Sequence, residues 1–307
     1  MSKKSKLSIF LLSIVLLFIP HKPVTAMQAS PEEYQQEVAA SVVQQMGELK
    51  VHFLDVGQGD SMLIEAPNGK KVLIDGGRPS AGETVVQYLK NQHISSLDLV
   101  ISTHPDFDHI GGLVDVLKKV HVKKVIDSGK LYYTDTYHEY MDVIHDKKLP
   151  VAIATKETNI DLGRDVSVQI LNTYQEFRTN NESSIVILLQ YRDTDFLLMG
   201  DVETKQEWKL LNKLPTDIEI LKVAHHGSDT ASSVEFLRHI TPEIAILSYG
   251  RDNPFGHPVD TVIDNLHQVR ATIYSTAKAG NIIISTRGQG YHIEINGKER
   301  VEYKATS

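Results

Sequence analysis

The stretch that most constrains this chain is Thr103-His104-Pro105-Asp106-Phe107-Asp108-His109-Ile110-Gly111-Gly112. Two histidines and two aspartates fall within six positions, directly after the apolar run Leu97 to Ser102. A buried strand that ends in such a cluster delivers side chains to its mouth, where metal-binding groups can converge. A polar loop with incidental histidines is the plainer alternative. Four potential ligands at this density, closed by a Gly-Gly pair, argue against it.

Composition narrows the chemistry. None of the 307 residues is cysteine, which removes disulfides, thiolate catalysis, a cysteine-ligated zinc and a lipoprotein anchor. Any metal must be held by nitrogen and oxygen. A formal charge of −7 argues against an extended basic surface for non-specific nucleic-acid binding, though not against a local positive groove.

Lys3, Lys4 and Lys6 precede the apolar run from Leu7 to Pro20, and Val24-Thr25-Ala26 follows. A basic start, a short apolar core and small residues at its end match a secretory signal peptide over residues 1–26. An uncleaved anchor is the alternative, but the run is short for a spanning helix. The expectation is a secreted protein with no stable membrane insertion after cleavage. Residues 27–47 form a polar spacer, where Ser30-Pro31-Glu32-Glu33 resembles a helix start.

Residues 48–303 carry no linker or low-complexity stretch and are expected to form one domain. Lys50 to Val56, Ser61 to Glu65 and Lys71 to Gly77 form a β-meander, with Gly57-Gln58-Gly59-Asp60 and Pro67-Asn68-Gly69-Lys70 as turns. A helix follows from Gly82 to about Asn91, then the strand Leu97 to Ser102. Val122 to Asp127 is expected as one strand and Thr136 to Lys147 as a helix. A second meander, Ser184 to Tyr191 and Asp195 to Asp201, ends like the first with an aspartate beside glycine. Strands and helices then alternate to a last strand, Tyr291 to Ile295. Such a pattern predicts stacked sheets covered by helices.

Two further clusters sit at strand ends. His225-His226-Gly227-Ser228 follows the apolar strand Ile218 to Val223, and neighbouring side chains diverge, so only one of the histidines should bind metal directly. Asp201, after Phe196-Leu197-Leu198-Met199-Gly200, is either a turn residue or a buried carboxylate that needs a cation. Asp55, Asp60 and Asp75 are candidates for orienting ligand imidazoles.

These motifs, namely Leu73 to Gly77, Thr103 to Gly112, Met199 to Glu203 and Ala224 to Ser228, together resemble the metallo-β-lactamase superfamily over roughly residues 48 to 295. More narrowly, the chain looks like the metallo-hydrolase part of the competence protein ComEC/Rec2. His52 to Ile64, Asn180 to Leu189 and Ser248 to Pro258 carry that closer likeness. The resemblance implies an α+β fold, the four-layer αββα metallo-β-lactamase sandwich.

It also implies a site. His104, Asp108 and His109 match the superfamily's metal-binding pattern, and Asp106 stands where a second histidine is usual. Asp201 matches the aspartate that bridges two metals, and His226 is favoured over His225 to complete the second metal. His225 would then face substrate as proton donor or phosphate contact. The histidine expected before Asp201 is absent; Asn181 stands in its region as a weak ligand or substrate contact. Asp75 would orient a ligand histidine, and His257 would contact substrate at the rim.

The resemblance thus implies two divalent metal ions, Zn²⁺ or Mn²⁺, activating a water as nucleophile. Oxygen ligands in place of nitrogen move the preference towards Mn²⁺. They also suit a phosphoryl transition state, so a phosphoester is the expected substrate, with DNA as one candidate, and the chain is expected to act as a monomer. A phosphorylcholine or other small phosphoester is the competing substrate. A non-catalytic secreted binding protein of the same fold is the alternative from another class.

Overall fold

The strands that carry these motifs are apolar on both faces, so both faces need cover. In Lys71–Ile74, Val72 and Ile74 point to one side and Leu73 to the other; in Leu99–Ser102, Leu99 and Ile101 oppose Val100. In Thr194–Leu198, Phe196 and Leu198 likewise oppose Leu197. The first set of each strand packs into one central core between two sheets, and the second set packs under helices.

This computed structural model describes residues 47–175 and 178–295 and the backbone of 298–302, all within the unit Gln44–Ser307. The expected signal peptide, the Ser30 helix start and all but the last residue of the 27–47 spacer lie outside the described residues. Among the described residues, no helix is long and apolar enough to cross a membrane.

The larger sheet has nine strands, in the order Lys298–Glu302, Tyr291–Ile295, Ile282–Thr286, Leu49–Phe53, Met62–Glu65, Lys71–Ile74, Leu99–Ser102, Val125–Asp127 and Val151–Ile153. The second has six, in the order Thr272–Ser275, Ile244–Leu247, Ile220–Lys222, Thr194–Leu198, Val186–Tyr191 and Val166–Asn172. Helices Gly82–Asn91, Leu113–Lys119 and Asp135–Asp146 cover the first sheet with Val85, Leu89, Val116, Leu117 and Tyr140. Thr204–Leu210, Val234–Ile240 and Asp260–Gln268 cover the second with Leu210, Phe236, Leu237 and Leu266. The result is a four-layer α+β sandwich.

Each sheet contains a parallel half. Lys71–Ile74, Leu99–Ser102 and Val125–Asp127 run parallel in one, as do Thr194–Leu198, Ile220–Lys222 and Ile244–Leu247 in the other. Parallel strands present all their carboxyl ends at one edge, where groups from several strands can meet. That is why aspartates and histidines follow strand after strand in this chain.

Two expected strands are broken. Leu97 to Ser102 divides at Asp98, whose carboxylate accepts the Lys71 N–H at 2.8 Å; Ser96–Leu97 pairs with His121–Val122 as a separate ribbon. Val122 to Asp127 divides alongside it: His121–Val122 joins the ribbon and Val125–Asp127 stays in the main sheet. Lys298–Glu302 adds an edge strand that its residues, Lys-Glu-Arg-Val-Glu, do not predict; charge of this kind marks a sheet edge rather than a core strand.

Candidate metal centre

Two tight turns bring together the loops that carry the candidate ligands. Gly59 has φ +120°, and a Cβ there would lie 2.0 Å from the carbonyl oxygen of Asp108; the neighbouring Asp60 N–H donates to that same oxygen at 3.2 Å. A Cβ on Gly112 would lie 1.9 Å from the Gly76 carbonyl oxygen. Neither position tolerates a side chain, which explains why the cluster is closed by glycine and why the 57–60 turn is glycine-rich.

Four imidazoles converge on one carboxylate oxygen. Oδ2 of Asp201 lies 3.2 Å from Nε2 of His109, 3.3 Å from His226, 3.8 Å from His104 and 4.0 Å from His225. Asp106 Oδ2 is 3.4 Å from His104 Nε2, and Asp108 Oδ2 is 3.6 Å from His226 Nε2. His104, His109, His226 and Asp201 are buried.

The far ring nitrogens are each anchored, which sets the ring orientations. His109 Nδ1 donates to Asp75 Oδ2 at 2.9 Å, and His226 Nδ1 to the Ser248 carbonyl at 2.9 Å. The Thr103 hydroxyl spends its proton on Asp75 at 2.7 Å, so its oxygen accepts from His104 Nδ1 at 3.1 Å. With Nδ1 donating outwards in each case, Nε2 is the nitrogen turned to the centre, where a cation would take the place of any proton it carries. Asp55 takes no part; it is exposed and holds its own turn.

Opposite charges at the centre shift one another. Burial alone would raise Asp201, yet His109 and His226 hold it well below the usual carboxylate range. Burial would lower His109 and His226, but Asp201 outweighs it, with Asp75 and Asp60 adding; His226 is raised to about 10. Asp60 is brought down to about 2 against burial, chiefly by Lys222. Burial lowers His225, which is therefore neutral at neutral pH.

The residues fit divalent cations. Nε2 of His104, Nε2 of His226 and Oδ1 of Asp201 are buried with no hydrogen-bond partner among the described residues. Buried polar atoms left without a partner cost free energy unless a cation meets them. Among the described residues three groups could hold an ion: His104, His109 and Asp201; Asp108, His109 and His226; and Asp60, Asp75 and His109. The first two contain these orphaned atoms, whereas in the third His109 turns its Nδ1–H to Asp75. The donor set is imidazole nitrogen and carboxylate oxygen, suited to Zn²⁺ or Mn²⁺.

A cleft of about 280 Å³ opens over the cluster, with Asp108, Asn181, His225 and His257 on its walls. His225 is 21% exposed there; its Nδ1 bonds Thr230 Oγ1 at 2.8 Å, and Asn181 Nδ2 approaches its Nε2 at 3.4 Å. His257 sits 5.7 Å from the His225 ring, centroid to centroid. The asparagine that touches a ligand candidate is Asn180, whose Nδ2 donates to Asp106 Oδ1 at 2.6 Å. Asn180 and Ser248 begin two of the sequence motifs, but neither signals its role; that of Ser248 is a backbone carbonyl.

Residues 54–251 match the family model described as the metallo-β-lactamase superfamily. The chain belongs to the metallo-β-lactamase superfamily. Within it, the chain falls in the ComEC/Rec2-like subgroup. It is 31% identical over 247 residues to recombination protein 2 of Haemophilus influenzae, covering 77% of this chain and 29% of that protein. It is 28% identical over 252 residues to ComE operon protein 3 of Bacillus subtilis, covering 76% and 32%. The chain thus spans about a third of the length of these relatives or less. Among solved structures, the metallo-β-lactamase fold protein YhfI of Bacillus subtilis aligns with a TM-score of 0.54 at 10% identity, covering 78% of this chain and all of that one. The fold of this superfamily binds divalent metal ions, and the His/Asp groups of this chain could hold them.

Proposed function

We propose that this superfamily member is a secreted, monomeric phosphodiesterase that acts on nucleic-acid strands with two divalent ions, Zn²⁺ or Mn²⁺. The observation that carries the reading is the oxygen-rich centre: the carboxylates of Asp106, Asp108 and Asp201 all lie within 4 Å of ligand imidazoles. Such a set favours hard cations and phosphoryl oxygens. Bound divalent ions supply Lewis acidity and lower the pKa of water.

The remaining work falls to the chain. His104 and Asp106 would hold one ion and Asp108, His109 and His226 the other, with Asp201 between them. His225 holds a neutral acceptor nitrogen, Nε2, on the cleft wall, where it can take up a proton and return it to a leaving oxygen. Asn181 keeps that nitrogen in place, and His257 borders the same space.

The rim supports a strand as substrate. Phe107 and Phe255 line the cleft, 44% and 53% exposed, and the Arg78 guanidinium lies 5.2 Å from the Phe107 ring. Exposed rings beside a cation suit base stacking and a phosphate backbone. The name of one relative, recombination protein 2 of Haemophilus influenzae, agrees with nucleic acid as the polymer. The N-terminal sequence supports secretion.

The test is incubation of the Zn²⁺- or Mn²⁺-loaded protein with single- and double-stranded DNA. Metal-dependent shortening of either is expected. Cleavage of a small phosphodiester with neither DNA degraded would move the substrate to a small phosphoester.

A further inference from the structure

The metal centre is assembled from two sheets. His104, Asp106, Asp108 and His109 follow Leu99–Ser102 of the nine-stranded sheet, whereas Asp201 and His226 follow Thr194–Leu198 and Ile220–Lys222 of the other. The spacing of ligands across that divide must therefore be set by something that joins the sheets beside the site.

One ion pair does so. Lys222, the last residue of its strand, is completely buried, and its Nζ lies 2.8 Å from Oδ2 of Asp60, also completely buried. Asp60 stands in the turn before Met62–Glu65 of the opposite sheet. The Lys222 ammonium also donates to the Val223 carbonyl at 3.0 Å, which ties it to the loop that leads to His226. Asp60 in turn touches both sides of the second ligand group. Its Oδ1 is 3.4 Å from His226 Nδ1, and its backbone N–H donates to the Asp108 carbonyl.

Stability does not explain the pair. Burying two charges costs as much as their attraction returns, and apolar replacements of similar volume are often neutral or stabilising. A buried pair kept next to a ligand is better explained by the geometry it imposes. We propose that Lys222 is a positioning residue: paired with Asp60 across the two sheets, it holds His226 against Asp108 and so sets the affinity for the ion on that side. The proposal rests on the metal reading of the centre, not on any substrate.

The test is Zn²⁺ titration of purified protein against a chromophoric chelator, with metal content measured in parallel. In the double variant D60L/K222M, which removes both charges together, the fold and melting temperature of the metal-free protein should stay near those of the parent. One Zn²⁺ equivalent should weaken roughly 10–100-fold, the usual cost of losing an orienting partner, while the other is kept. In a His226→Ala background the same double substitution should change affinity no further. A folded double variant that binds both equivalents like the parent overturns the proposal, as does an added loss in the His226→Ala background. Should the double variant fail to fold, Asp60→Asn keeps the shape and an acceptor for Lys222; it too should weaken one equivalent, and parent affinity in it overturns the proposal. A parent protein that binds neither Zn²⁺ nor Mn²⁺ removes the centre itself.

Discussion

Asp75 accepts the Nδ1–H of His109 at 2.9 Å, and neither side chain is exposed. The same carboxylate accepts the Thr103 N–H and hydroxyl at 2.8 and 2.7 Å. One aspartate thus orients His109 directly and His104 through Thr103, so both imidazoles depend on it. Asp75→Asn should therefore weaken metal binding by about 10–100-fold with the sheets intact. Isothermal titration with Zn²⁺, alongside far-UV circular dichroism, checks this; unchanged affinity would mean that the ligands are held by other means.

Metal should also stabilise the fold, because the ligand groups come from both sheets and form only when the sheets are packed. An ion at about a thousand times its dissociation constant adds roughly 4 kcal/mol. For a domain of this size that raises the melting temperature by about 10 °C. A thermal melt before and after EDTA treatment measures it, and identical curves would count against the centre.

Acid should act on a separate cluster. Glu65 is brought down from 4.5 to about 2, first by its hydrogen bond with His52, against burial, with Lys71 adding. A carboxylate depressed on folding contributes stability that is present above its unfolded pKa and is lost as pH falls towards the folded one. The window is thus about pH 5 down to 2. Glu65→Gln should cost about 2 kcal/mol in metal-free protein at pH 7, discounted for partial exposure, and the gap to the parent should shrink below pH 5. Urea unfolding at pH 7, 4 and 3 reads this directly.

The residues that converge on Asp201 are legible in sequence as strand ends, because they follow strands of one kind. Leu97 to Ser102, Phe196 to Gly200 and Ile218 to Val223 are apolar runs that end in His or Asp, and period and composition alone expose such positions. What sequence left hidden depends on contacts between distant segments. Lys222 looks like an ordinary strand lysine facing solvent, and only the stacked sheets bury it against Asp60. Ser248 acts through a carbonyl, which no residue type announces. His52 opens the His52 to Ile64 motif, but nothing in that motif shows that it is buried between Tyr88 and Glu65. The division of Leu97 to Ser102 turns on Asp98 capping a neighbouring strand, again a long-range contact.

Hydrolysis of bis-p-nitrophenyl phosphate is the most direct measurement of the central claim, that this centre is a metal-dependent phosphodiesterase. Protein stripped with EDTA should be inactive and recover with Mn²⁺ or Zn²⁺, while Asp108→Ala, treated identically, should lose at least about a hundredfold in rate. Absence of turnover with either ion, or a rate unchanged by Asp108→Ala, would contradict the account.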